Sequence, residues 1–383
     1  MDFKGIRVLV LEGYARQSLP VMRALKELGC RVSVLCDSRT DIAYASRIPD
    51  EKILGVCDSE RYNETEECIR NLLKTEKFDV VIPLVDFSEK ILAYNKDEFC
   101  KYARILSNSK EVFDVAQDKL SVMKLCEENG IPHPKTVFDA KTAEAVLEKN
   151  LLFPIIVKPR RDCGARGILH FDREEDFLDY TNKNNMDFEG LVIQEYIPQD
   201  LQNMSANLFV DKNGEVKSNY IYASYRWFPV KGGTGTFNIT VDEPEARESA
   251  EKLVRIAGIR GLCGVDFIKD PRDGKAKVLE INPRIMACAK IGLLAGVNQI
   301  RQALENEFSD SVTEMLDYKK DMRVRMSQVD FLWFLKSPDR FRAKPSWFSW
   351  KNTKDQTFSW DDPLPWFAFL VNRFKKIIET GHR

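Results

Sequence analysis

The sequence predicts a multidomain protein of mixed class, α/β at its N-terminus and α+β beyond. Three observations carry this. Apolar strands alternate with helices and turn residues over residues 1–107. Strand-like runs broken by a few helices fill residues 136–282. After about residue 320 the composition turns aromatic and basic. At 383 residues the chain is too long for one ordinary core. The expected division is 1–107 (doubly wound), 108–320 (linker helices 108–135, a small lobe 136–200 and a large lobe 201–320) and 321–383.

The elements follow in order. Ile6 to Leu11 is an apolar strand, and Gly13 follows it. Leu19, Met22, Leu25 and Leu28 recur at helical spacing, and Gly29 ends that helix. Arg31 to Leu35 is the next strand, so strand, glycine turn, helix and strand make a βαβ unit. Lys52 to Val56, a helix through Ile69 and Leu73, and Asp79 to Pro83 continue the alternation. No G-x-G-x-x-G follows the first strand, which argues against dinucleotide binding. The turn Glu12-Gly13-Tyr14-Ala15 reads equally as an ordinary βα turn or as a substrate contact. Helices are expected near 109–116 and 118–129, with Gly130 capping the second. Further helices are expected near 142–148, 173–180 and 244–257 within the strand-rich region. A last helix is expected from about Trp366 to Ile378.

Composition narrows the function. Lys and Arg total 58 against 59 Asp and Glu, so no global charge draws the chain to nucleic acid. The nine cysteines are scattered, odd in number and without a C-x-x-C pair. They read as free thiols in a reducing cytoplasm rather than disulfides or a zinc site. With only three histidines, chemistry must rest on carboxylates, lysines, arginines and a bound metal. The opening Met1-Asp2-Phe3-Lys4-Gly5 shows no signal-peptide pattern, and no apolar run reaches about 18 residues. A cytoplasmic location is expected.

Four segments bear chemistry. The first joins Gly264-Val265-Asp266-Phe267 to Lys277-Val278-Leu279-Glu280-Ile281-Asn282-Pro283-Arg284. Strand side chains alternate faces, so Glu280 and Asn282 point the same way. With Asp266 they make a hard-oxygen cluster of the kind that holds Mg²⁺ against phosphates. The second is the strand Phe153 to Pro159, which delivers Lys158 to a loop, Arg160 to Gly167, whose small residues and cations suit phosphate oxygens. The third, Leu191 to Pro198, ends a buried strand in polar and then apolar residues that suit an adenine ring. The fourth, from Ser224 to Thr236 through Arg226, Lys231 and Gly232, suits an acidic substrate or the phosphoryl group in transit. A charged hairpin explains the second and fourth without a ligand, and an ordinary strand end explains the third.

Together and in this order, the four segments resemble the ATP-grasp superfamily over residues 5–305. The most specific part is Glu280-Ile281-Asn282-Pro283-Arg284. The resemblance implies an ATP-grasp fold with an N-terminal pre-ATP domain, and ATP with one or two Mg²⁺ ions, for which Mn²⁺ substitutes. Lys119 and Lys158 would contact the phosphates under a loop containing Gly164, Arg166 and Gly167. Gln194, Glu195, Tyr196 and Ile197 would line the adenine. Asp266, Glu280 and Asn282 would hold metal. Arg284 would steady an acyl-phosphate beside Lys158 and Arg226. Many relatives place a ribose-binding glutamate shortly after the hinge. Here Asp200, Gln202 or Asn203 must serve, and Gln202 is taken as the contact.

The implied activity is ligation: a carboxylate activated as acyl-phosphate and attacked by an amine, in surface-polysaccharide or peptide-like metabolite synthesis. Bicarbonate activation, as in carbamoyl phosphate synthase or biotin carboxylase, is the enzymatic rival. A nucleotide sensor without turnover is the non-enzymatic one. Small carboxylates and amines are the expected partners, and a homodimer is compatible with this reading. Residues 321–383 hold five of the six tryptophans. They read either as a cap packed on the main domain or as a platform for a membrane surface, lipid-linked glycan or partner protein.

Overall fold

The computed structural model describes residues 2–161, 167–199, 202–230 and 233–380, with side chains through Asn372 in the last helix. The first domain comprises β1 (Arg7–Val10), α1 (Ser18–Glu27), β2 (Arg31–Cys36), α2 (Ile42–Ala45), β3 (Glu51–Leu54), α3 (Tyr62–Thr75), β4 (Val80–Ile82), α4 (Asp86–Tyr94), α5 (Lys96–Phe99) and β5 (Arg104–Ile105). Its five strands are parallel, in the order β3-β2-β1-β4-β5. Both faces of β1 are covered. Val8 and Val10 pack towards α1, and Leu9 packs towards Ile69 and Phe99. Burial on both sides explains the unbroken apolar run. Gly13 is required by crowding, since a Cβ there would lie 2.3 Å from the Cys36 sulfur. The strand order reverses between β1 and β4, which opens a crevice beyond their C-terminal ends.

Two linker helices follow, α6 (Lys110–Gln117) and α7 (Lys119–Glu128), capped by Ser109 and Asp118. The small lobe holds β6 (Thr136–Val137), α8 (Ala143–Leu147), β7 (Ile155–Pro159), β8 (Leu169–Phe171), α9 (Glu174–Asn184) and β9 (Leu191–Glu195). Its antiparallel sheet has the order β6-β9-β7-β8. The large lobe adds β10 (Asn203–Val210), β11 (Val216–Phe228), β12 (Thr234–Val241), α10 (Pro244–Ile256), β13 (Gly261–Lys269), β14 (Ala276–Asn282), α11 (Ala289–Ala295) and α12 (Gln299–Phe308). Then come β15 (Arg323–Arg325), α13 (Ser327–Lys336), β16 (Thr353–Asp355) and α14 (Leu364–Thr380).

The C-terminal segment is woven into this architecture. β15 pairs antiparallel with β12 and β16 pairs with β15, completing a seven-stranded sheet, β14-β13-β10-β11-β12-β15-β16. Helix α14 returns to the first domain, where Ala368 and Phe369 pack on its core. Thr40 donates to Asn372 at 2.5 Å, and Asp362 accepts from Ser46 at 2.5 Å. Trp333 is buried, and the indoles of Trp347 and Trp366 donate to Asp330 O and Ser327 Oγ. Trp350 and Trp360 remain exposed. Among the described residues no helix is long and apolar enough to cross a membrane.

One expectation is corrected here. Arg226 does not face a ligand. Its side chain is 1% exposed and forms two bonds to Asp330, Nε–Oδ1 at 2.8 Å and Nη2–Oδ2 at 3.1 Å. Pro345 O accepts from it as well, and the guanidinium lies 3.9 Å from the Phe237 ring centroid. Thr236 Oγ1 donates to the same carboxylate, and Arg325 Nε lies 3.3 Å from it. The counter-ion of Arg226 is the protein's own Asp330, whereas Gly233, Thr234 and Gly235 of the same segment line the cavity that holds Asp266, Glu280 and Asn282. Lys231 and Gly232, part of the same expectation, lie outside the described residues.

Removing that carboxylate leaves two arginines buried without their counter-charge. Asp330→Ala should cost about 3–5 kcal/mol, the range for breaking a buried pair. Urea unfolding of the full chain measures it, and a loss under about 1 kcal/mol would contradict this account.

Candidate functional site

The register of β13 on β14 builds the site. Asp266 pairs with Glu280 and Gly264 with Asn282, but Phe267 pairs with Val278, so Leu279 is an extra residue. This bulge shifts the alternation. Val278 and Ile281 both reach the core, and Glu280 and Asn282 turn to the opposite side. Gly264 lies under the segment after β14, where a Cβ would meet the Met286 sulfur at 2.4 Å. Asp266, Glu280 and Asn282 line a cavity of about 280 Å³ with Ser205, Tyr222 and Asn238.

Asn282 Nδ2 donates to Asp266 Oδ2 at 3.1 Å. Burial pushes the Asp266 carboxyl up to about 7, and the neighbouring Glu280 charge adds to this. Ser205, Arg284 and Asn282 offset part of it. Lys119 stands at the first turn of α7, where its Nζ lies 3.2 Å from Glu280 Oε2. Lys158, at the end of β7, is 7% exposed. Burial brings its ammonium down to about 8. Glu280 works against that, and Lys119 adds to it. Two ammonium groups thus converge on one carboxylate, which favours arrival of a polyanion. Asp118 fixes the frame by capping α7 and binding Arg160.

Arg284 follows the metal-side strand and crosses to the first domain. Its Nε and Nη2 reach the two oxygens of Asp86 at 2.8 Å each, and Nη2 reaches Asn282 Oδ1 at 3.2 Å. Burial alone would raise the Asp86 carboxyl. Arg284, Gln117 and Lys119 more than offset it and hold Asp86 below the usual carboxylate range. Arg284 also lines a second cavity of about 610 Å³ at the strand-order reversal. Arg16, Arg284 and Ala287 border both cavities. Sequence reasoning missed Asp86 and Arg16. The available signal was position, because each follows a parallel strand of a doubly wound sheet, where ligands bind.

The remaining expected residues fall out unevenly. Gln194 is fully buried. Its Nε2 donates to Thr136 Oγ1 at 2.8 Å, and its Oε1 has no protein partner among the described residues, an acceptor suited to an exocyclic amine. The Glu195 side chain is committed elsewhere, which corrects its assignment as a ligand contact through that group. It accepts from Lys135 N, Arg272 and Lys277, and these hold it below the usual range against the opposing effect of burial. Tyr196 packs 4.5 Å from the His170 ring, and Ile197 is buried. Gln202 is half-buried just before β10, and Gly167 just precedes β8. Gly164 and Arg166 lie outside the described residues.

Among the described residues no three His, Cys, Asp or Glu side chains cluster as a complete metal cage. Two opposed carboxylates and an amide oxygen suit instead a hard cation that completes its shell with phosphate oxygens. The raised Asp266 carboxyl fits this, since a divalent cation would relieve the repulsion from Glu280.

Comparisons with known proteins agree with this geometry. Residues 116–288 match the ATP-grasp domain family. The chain is 24% identical over 252 residues to D-aspartate ligase of Enterococcus faecium, covering 61% of this chain and 59% of that one. It is 28% identical over 239 residues to tyramine–L-glutamate ligase of Methanocaldococcus jannaschii, covering 62% and 65%. It thus spans less than two thirds of either relative. Among solved structures, N5-carboxyaminoimidazole synthetase from Staphylococcus aureus complexed with ADP is similar, with a TM-score of 0.64 at 16% identity over 84% of this chain and 82% of that one. The fold is the ATP-grasp fold, and residues 116–288 carry its family match.

A metal ion held by Asp266 would require that its carboxyl lose its proton, so apparent affinity should fall as pH drops through about 7. The sign for stability is opposite in the metal-free protein. A raised carboxyl stabilises the fold below its unfolded value near 3.8, and that contribution is lost as pH rises through about 7. The Mg²⁺-induced rise in melting temperature, with ADP present, should therefore be larger at pH 8 than at pH 6. Asp266→Asn should abolish the difference. An equal rise at both pH values in the unaltered protein would refute the assignment.

Proposed function

We propose that this chain is an ATP- and Mg²⁺-dependent ligase that activates a carboxylate as acyl-phosphate and joins it to an amine, with release of ADP and phosphate. One observation carries the reading. Arg284 borders both the cavity that holds Asp266, Glu280 and Asn282 and the larger cavity at the strand-order reversal. A phosphoryl donor in one and an acid in the other would meet at a single guanidinium. Both ligases named above carry amino acids with two carboxyl groups, aspartate and glutamate, in their names.

In this reading Lys119 and Lys158 bind the phosphates under the loop bearing Gly164, Arg166 and Gly167. Gln194, Tyr196 and Ile197 hold the adenine, and Gln202 holds the ribose. Mg²⁺ at Asp266, Glu280 and Asn282, or Mn²⁺ in its place, would supply charge neutralisation on the phosphate oxygens. Arg284 orients the acid. A carboxylate oxygen attacks the γ-phosphorus and the bond to ADP breaks. The amine then attacks the acyl carbon, the C–O bond to phosphate breaks, and the nitrogen gives up a proton. Lys158 becomes fully charged as the polyanion arrives, because anionic neighbours reverse the effect of burial.

The test is ADP release across a panel of carboxylic acids, each with and without amines, with hydroxylamine to trap acyl-phosphate. Release should require an organic acid, and hydroxamate should form. Glu280→Gln should lower kcat on the order of 10²–10³-fold, as for loss of one preorganised electrostatic group. Turnover supported by bicarbonate alone would overturn the reading in favour of carboxyphosphate chemistry. Nucleotide binding with no turnover under any condition would favour a sensor.

A further inference from the structure

The cavity at the strand-order reversal is a site with its own chemistry. It is formed by the turn after β1, the turn after β4, helices α4 and α6, and the segment after β14. Its inner end is shared with the metal-side cavity and carries Arg16 and Arg284. Its walls include Tyr14, Val85, Phe87 and Phe113, so its lining is largely apolar. Lys90 and Arg161 line it too, and both are solvent-exposed, which places them at the mouth.

The charges do not cancel. Four basic residues line this cavity against two acidic ones, Asp86 and Asp114. Asp86 is matched by Arg284. Asp114 accepts a hydrogen bond from Tyr94 OH at 2.7 Å. Lys90 lies over the Tyr62 and Tyr94 rings, and among the described residues neither Lys90 nor Arg161 joins an ion pair. A cavity with cations at both ends and rings between them matches a molecule with an anion at each end.

We propose that this cavity binds an acid with two negative charges separated by an apolar segment. The reacting carboxylate lies against Arg16 and Arg284, and the second anionic group lies at Lys90 and Arg161. At about 610 Å³ the space falls within the range for ligands well above the size of a single small acid. Arg16 is then a substrate-binding residue contributed by the first domain. The inference rests on the acyl-phosphate reading above and narrows its substrate.

Two acids of equal shape test it: suberate, with a carboxylate at each end of an alkyl chain, and suberic acid monoamide, with one. ADP release by the full chain with MgATP and hydroxylamine should show a KM for the first lower by about tenfold, as for one charge-assisted contact. In Lys90→Met/Arg161→Met the two KM values should converge. Arg16→Gln should raise both and leave their ratio intact. Equal KM values in the unaltered protein, a ratio that survives the double substitution, or turnover of other acids with neither of these two would each overturn the inference and leave the ligase reading standing. Turnover with bicarbonate and no organic acid would overturn both.

Discussion

The contact between Arg284 and Asp86 organises the molecule. It joins the residue just beyond the metal-side strand to the first residue of a helix in another domain, and it stands where the two cavities meet. A partly buried pair of this kind gains little net energy after its desolvation. Its contribution is therefore position more than stability. The support behind it is equally specific. Glu12, in a left-handed conformation at φ 54°, accepts from Leu84 N, and Gln17 donates to Leu84 O. The turn that carries Asp86 is thus held from the turn after β1, and any shift of that turn moves Arg284.

The site is also an arrangement of unfavourable charges. Asp266 and Lys158 both sit where burial disfavours their ionised forms, and each has a like charge nearby. Neither arrangement stabilises the empty fold. Under the proposed function both would become favourable when a divalent cation and a polyphosphate arrive together, because each ligand brings the charge its neighbours lack. Surrounding packing sustains the arrangement. Val265, Phe267, Val278 and Ile281 lie in one apolar cluster behind the strands that carry the carboxylates.

Much of this was legible in sequence because it is local. The period of two placed Glu280 and Asn282 on one face, and the apolar strand Phe153 to Pro159 placed a cation, Lys158, at its end. What escaped depends on distant partners. The Leu279 bulge exists only in the pairing of β14 with β13, and no residue in Val278-Leu279-Glu280 signals it. Arg226 looked like a ligand contact because its counter-ion, Asp330, lies on a helix 104 residues later. Asp86 and Arg16 are single charged residues in ordinary turns, and only the strand order gives them meaning. The strand Arg323–Arg325 carries too little apolar alternation to be read as part of a sheet, although its neighbour β12 makes it one.

The way the last helix lies on the first domain bears on how the chain is made. One face of the N-terminal sheet shares its apolar cluster with Phe209, Leu262, Ile285, Ala289, Ile300 and Leu304, and Ala368 and Phe369 pack against the same cluster. Domains emerge from the ribosome N-terminal first and fold as units when their cores are complete. This one is not complete on its own. Part of its second face is covered by Phe209, Leu262, Ile285 and Leu304 and by Ala368 and Phe369, all of which are translated after it. The nascent first domain therefore emerges before the segments that cover this face.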